Sequence, residues 1–164
     1  AAARIPSRSL YPPAAPAYAA AQIALAAGDR SDAKQRLEAV IRRDPGHAAA
    51  RNDLAWLLAQ SGEDLERALS LAQLAYKMDA KPELADTLGW VHLQRGENER
   101  AVELFEKAVT ERPESQSMRY HLGLALSRQG ENQRALDALR KALEAGPFPE
   151  AEEGRSELAR LARP

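Results

Sequence analysis

His47, His92 and His121 are the side chains best suited to proton transfer or metal ligation. No repeated spacing relates them, and no His-x-x-x-His step places two on one helix face. Cysteine is absent, which excludes a thiolate metal site, a cysteine nucleophile and a disulfide scaffold. Ser61, Ser115 and Ser127 fall in turns or on helix surfaces without the glycine-framed elbow that activates a serine nucleophile. The adjacent acids Glu63-Asp64 and Glu152-Glu153 stand where a helix start or turn holds solvated carboxylates. No glycine-rich loop follows a strand, so a nucleotide has no phosphate cradle. The sequence therefore predicts no enzyme, no cofactor and no metal. The chemistry left is recognition: Trp56 and Trp90 lie 34 residues apart and are flanked by Tyr18 and Tyr120, and aromatic side chains are frequent anchors of binding surfaces.

The elements that position these rings follow one ruler. Gly28, Gly62, Gly96 and Gly130 are spaced by 34 residues, and seven places before each stands a small residue, Ala21, Ala55, Gly89 or Gly123. Five places after the glycines come Ala33, Ala101 and Ala135, with Ala68 one place late, and Pro45, Pro113 and Pro147 close three of the four units. A 34-residue period with two small positions and a closing proline is the signature of a tetratricopeptide array, an all-α solenoid of helix-turn-helix units. Small residues let two helices approach closely, so Gly89 and Gly123 are expected to face Ala101 and Ala135. Each glycine at the period ends its helix in the left-handed conformation, and each proline separates one unit from the next.

In this register the units are 14–47, 48–81, 82–115 and 116–149, followed by a capping helix over 150–164 that carries Leu158 and Leu161. The second unit contains a compensated slip, with a turn one residue longer, an exit one residue shorter and no closing proline. Residues 1–13, with Pro6, Pro12 and Pro13, read as a flexible lead-in.

Composition narrows the partners. Hydrophobic residues make up 45% and charged residues 29%, and 23 basic and 24 acidic side chains leave a net charge of −1, so no broad basic face awaits a phosphate backbone and no nucleic acid is expected. No apolar run reaches the roughly 18 residues of a membrane-spanning segment, and the amino terminus lacks the layout of a signal peptide. If the protein is exported, its signal lies outside this chain.

The segments Asn52-Asp53-Leu54-Ala55-Trp56-Leu57-Leu58, Ala85-Asp86-Thr87-Leu88-Gly89-Trp90-Val91 and Tyr120-His121-Leu122-Gly123-Leu124-Ala125-Leu126 follow one another at the repeat step. This order resembles the carboxy-terminal repeats of bacterial tetratricopeptide proteins found with exosortase (PEP-CTERM type) and exopolysaccharide systems, over about 44–161. The resemblance implies a periplasmic or envelope-associated setting. The chain departs from the general repeat where a large aromatic is usual early in the first helix: Ala17, Arg51, Ala85 and Arg119 stand there.

Carried over from tetratricopeptide arrays, the fifth, ninth and thirteenth positions of each unit face the concave groove. These are Tyr18, Asn52, Asp86 and Tyr120, then Gln22, Trp56, Trp90 and Leu124, then Ala26, Gln60, Gln94 and Arg128. The competing reading makes each tryptophan a packing residue between units, and makes Asp86 a carboxylate favouring the positive end of a helix dipole. Tyr18 and Tyr120 are expected at the surface. The groove holds only Asn52 of the lysine and asparagine set that clamps acidic carboxy-terminal peptides, which argues against that clamp. The expected function is a non-enzymatic scaffold with a protein or peptide partner. The alternatives are a module stacking polysaccharide on Trp56 and Trp90, and a homo-oligomer formed through the apolar face of 14–27.

Overall fold

The computed structural model describes residues 14–163, so the lead-in expected over 1–13 lies outside the described residues. Among these, nine helices and no strand are present: α1 (Ala14–Ala26), α2 (Arg30–Arg43), α3 (Ala48–Ser61), α4 (Leu65–Met78), α5 (Pro82–Gln94), α6 (Asn98–Glu111), α7 (Gln116–Gln129), α8 (Asn132–Glu144) and α9 (Ala151–Leu161). They form four pairs, α1–α2, α3–α4, α5–α6 and α7–α8, stacked in series. The first helices α3, α5 and α7 also touch one another, and α9 caps the last pair against α8 and α7. This is an all-α tetratricopeptide solenoid, whose curvature turns the first helices toward the concave side.

The turns lie where the glycines recur. Gly28, Gly62, Gly96 and Gly130 have φ of 75°, 70°, 78° and 86°, a left-handed conformation that costs glycine no side-chain clash. The slip in the second unit is visible as geometry: α4 starts one residue late, and Asp64 enters the left-handed region at φ 43°, held there as its carboxylate accepts from the Arg67 amide at 3.1 Å. Pro45, Pro113 and Pro147 fall between consecutive pairs or before the cap, and Pro82 opens α5 at a position where the missing amide is harmless.

The close crossings set a large side chain beside the small residue of the facing helix. A Cβ added to Gly89 would meet the Phe105 ring at 2.8 Å, and one added to Gly123 would meet Leu139 Cγ at 2.8 Å. Ala101 and Ala135, the partners expected from the register, are fully buried one turn before these rings and branches, and the Ala135 carbonyl lies 3.4 Å from the Gly123 position. The hole left by the missing side chain is filled by a large knob from the facing helix.

The missing aromatic early in the first helix has two consequences. In the first pair, Ala17 leaves an outer hollow of about 650 Å³ whose wall includes Pro16, Ala20, Ala39 and Arg36. In the second and fourth pairs, Arg51 and Arg119 fold back so that their guanidinium groups donate to the carbonyls of Pro45 and Pro113.

Candidate partner-binding groove

Helix α3 carries Trp56, α5 carries Trp90 and α7 carries His121 at neighbouring places on the inner wall. The two indoles lie 5.3 Å apart between ring centroids, and the His121 imidazole lies 5.6 Å from Trp56 and 5.0 Å from Trp90. Tyr120 and Phe105 flank His121, each at 5.6 Å. The indoles are only partly buried. Their rings pack against neighbouring helices while part of each surface stays open. The Trp90 Nε1 is nevertheless buried without a hydrogen-bond partner.

Polar rungs join successive first helices at equivalent positions. The Tyr18 hydroxyl of α1 donates to Asp53 Oδ2 of α3 at 2.8 Å, and Gln22 donates to both Tyr18 Oη and Asp53. Two repeats on, His121 Nδ1 lies 2.9 and 3.0 Å from the two Asp86 carboxylate oxygens. Each rung spans 35 residues, from the fifth position of one unit to the sixth of another. The intervening rung, between Asn52 and Thr87, is not formed. Asn52 Nδ2 instead donates to the adjacent Asp53 at 3.4 Å, and the buried Asn52 Oδ1 has no partner. Beside this gap lies a hollow of about 260 Å³ whose wall includes Asn52, Asp53, Trp56, Asp86, His121 and Glu150. A second hollow, of about 670 Å³, is bounded by Trp90, Tyr120 and Arg128 and by Glu153, Glu157 and Arg160 of α9.

Burial shapes the electrostatics. Desolvation pushes the Asp53 carboxyl above the ordinary carboxylate range, opposed by the hydrogen bonds from Tyr18, Asn52 and Gln22. Burial, reinforced by the Asp53 charge, also raises the Tyr18 phenol. Tyr120 is raised by burial and then by Glu153, Glu150 and Glu157. Glu157 is held low by the Arg160 guanidinium and the Ser127 hydroxyl.

Of the residues predicted for the groove, Trp56, Asp86, Trp90 and Tyr120 are brought into one cluster around His121. Tyr18 and Gln22 form a separate node on Asp53. Gln60 is drawn to Arg30 at the turn end of the first two pairs, Gln94 is partly buried near the end of α5, and Arg128 donates to the Leu93 carbonyl at 3.1 Å.

Two expectations are corrected. Tyr120 is not a surface residue but is 6% exposed, because Phe148 and α9 cover its ring. Asp86 does not serve the helix dipole: it is buried on α5 and its carboxylate is taken by His121. Asp53, His121 and Glu150 were not expected at the groove. The 35-residue step between rung partners is the signal that could have found the first two. Among the described residues no cluster of three or more His, Asp or Glu is placed to hold a metal ion, and no helix is long and apolar enough to cross a membrane.

The family model described as Tetratricopeptide repeat matches residues 18–85 and 87–148. Among curated proteins no sequence match was found. Solved structures share the fold. A thermophilic tetratricopeptide repeat protein of Thermus thermophilus superposes with a TM-score of 0.72 at 22% identity, over 91% of this chain and 81% of that one. MamA from Desulfovibrio magneticus gives 0.71 at 21% identity, over 90% and 82%. An O-GlcNAc transferase mutant of Thermobaculum terrenum gives 0.69 at 22% identity, over 78% of this chain and 26% of that one.

Proposed function

We propose that this chain, which belongs to the tetratricopeptide repeat family, is a non-enzymatic scaffold that holds a protein partner against the inner wall of α3, α5 and α7. The observation that carries this reading is the pair of part-exposed indoles, 5.3 Å apart on adjacent repeats and beside a hollow. The setting we propose, bacterial envelope polysaccharide synthesis or export or the associated protein sorting, rests on the resemblance of the segments around Trp56, Trp90 and His121 to repeats from those systems.

The test is titration of the chain with peptides and with oligosaccharides, repeated with Trp56→Ala and Trp90→Ala. Central aromatic anchors cost about 2 kcal/mol or more of binding on truncation, roughly thirtyfold in affinity. Such a loss is expected for peptides. The same loss for oligosaccharides alone would replace the protein partner with a sugar chain stacking on the indoles. Unchanged binding together with a melting temperature lower by several degrees would make both tryptophans packing residues and remove the groove. Sedimentation at two concentrations tests self-association through α1, where Ile23 is 72% exposed.

A further inference from the structure

We propose that the hollow beside the unformed rung seats a cationic side chain, an arginine of the partner polypeptide, between the Trp56 ring and the carboxylates of Asp53 and Glu150. The inference rests on the reading of the inner wall as a partner-binding surface and adds the chemistry of what enters it.

The first support is the gap itself. Rungs of the same register are closed at Tyr18–Asp53 and Asp86–His121, whereas between them Asn52 Oδ1 is buried without a donor. A buried acceptor left unpaired is costly, so of the three rungs this one is the least satisfied within the chain. The second support is the character of the wall, in which Asp53, Asp86 and Glu150 bring carboxylates and no lysine or arginine takes part. Its one basic side chain, His121, is committed to Asp86, and Glu83 at its edge is joined to Arg112 at 2.5 Å. Asp53 has only the neutral donors Tyr18, Gln22 and Asn52. Glu150 has only the Ser117 hydroxyl, at 2.8 Å. Neither carboxylate is hydrogen-bonded to a cationic side chain among the described residues, and the His47 charge acts on Asp53 without a hydrogen bond.

The third support is Trp56, whose ring forms one side of the hollow. An indole face attracts a cation more strongly than the other aromatic side chains do, and the flat guanidinium can stack on it while its N–H fork meets carboxylates. The volume of about 260 Å³ is below the roughly 300 Å³ at which drug-sized sites begin, which suits one side chain. Trp90, in contact with Trp56, continues the wall into the second hollow, which gives the rest of a polypeptide a course along the solenoid.

The test starts from a displayed library of random dodecapeptides selected on the whole chain. Selected peptides are expected to share an arginine or lysine, and replacing it by glutamine should lower affinity about tenfold, the scale of a charge-assisted hydrogen bond. Asp53→Asn should remove most of that preference. Glu150→Gln, at a part-exposed site outside the rungs, provides a second variant, with helicity by circular dichroism as the control for folding. Affinity for the arginine peptide should fall with salt more steeply than for the glutamine peptide. Peptides that lose binding on Trp56→Ala but carry no common basic residue would overturn the cationic occupant and leave the groove intact. Peptides indifferent to both Trp56→Ala and Trp90→Ala, or a library that yields no binder, would overturn both readings. Enrichment of acidic residues would reverse the assignment of charge.

Discussion

Phe105 and Trp56 are two large aromatic residues whose rings both lie 5.6 Å from the His121 imidazole, and the regions they occupy are built to opposite ends. Phe105 is completely enclosed, pressed into the space that Gly89 vacates, with every part of the ring in contact. Trp56 and Trp90 are left part-exposed over a hollow, the Trp90 Nε1 and Asn52 Oδ1 are unpaired, and Asp53 is held by neutral donors alone. The crossing between α5 and α6 is satisfied within the chain, whereas the inner wall keeps unpaired polar atoms and part-exposed rings, as the partner-binding reading we propose requires. A complete region spends its apolar surface on stability, and an incomplete one retains surface and polar capacity for a partner.

Substitutions should separate the two regions by what they change. The largest effect is expected for Phe105→Ala, which empties the glycine-lined crossing and should destabilise the fold by about 3–5 kcal/mol in chemical denaturation. An effect below about 1 kcal/mol would mean that the crossing relaxes around the lost ring, and the contrast with the wall would fail. Gly123→Leu attacks the equivalent crossing from the other side. With Leu139 Cγ already 2.8 Å from where a Cβ would stand, overpacking should cost about 1–3 kcal/mol. Because a solenoid's stability is close to a sum over units and their interfaces, amide exchange should accelerate most in α7 and α8 and the helices that adjoin them. Trp56→Ala should do the converse, taking about 2 kcal/mol from partner binding while costing less stability than Phe105→Ala. If the two variants exchanged these phenotypes, the assignment of packing and recognition would be inverted.

Much of this architecture was legible in the residues, and the parts that were not have identifiable causes. The 34-residue recurrence located the turn glycines, the joints and the late start of α4, because backbone conformation at those positions depends on a residue's own φ preference and its immediate neighbours. Alignment of small residues did not reveal which side chain fills the space opposite them. Gly89 and Gly123 point at Phe105 and Leu139, one turn beyond the alanines that share the repeat signature. The pattern Ala101-x-x-x-Phe105 held that information, since a large residue four places after a small one falls on the same helix face. Tyr120 was misplaced for a different reason: its burial depends on Phe148, at the end of the fourth unit where the earlier units carry no aromatic, and on α9, which lies beyond the repeats. The inner wall was legible as a set of positions but not as a set of bonds, because Asp53 and His121 stand one place past the positions that name the groove.

The smallest expected effect concerns Asp53, and its sign tests whether the wall is incomplete. Burial raises this carboxyl's pKa in the folded state, against a value near 3.9 in the unfolded chain. The folded protein therefore holds the Asp53 proton more tightly than the unfolded chain does. The stability that this preference contributes is fully present below about pH 3.9 and is lost as pH rises through the elevated folded value. The carboxamide introduced by Asp53→Asn does not titrate, so the stability of the natural chain relative to this variant should decline as pH rises above about 3.9, with the His47 charge opposing the decline, measured by urea unfolding at each pH. A rise over the same interval would show that Tyr18, Gln22 and Asn52 already satisfy the carboxylate, leaving no capacity for a cation. An arginine-bearing peptide should oppose the decline, because a guanidinium beside Asp53 favours its charged form. The same carboxylate that weakens the empty wall at neutral pH would then strengthen the occupied one.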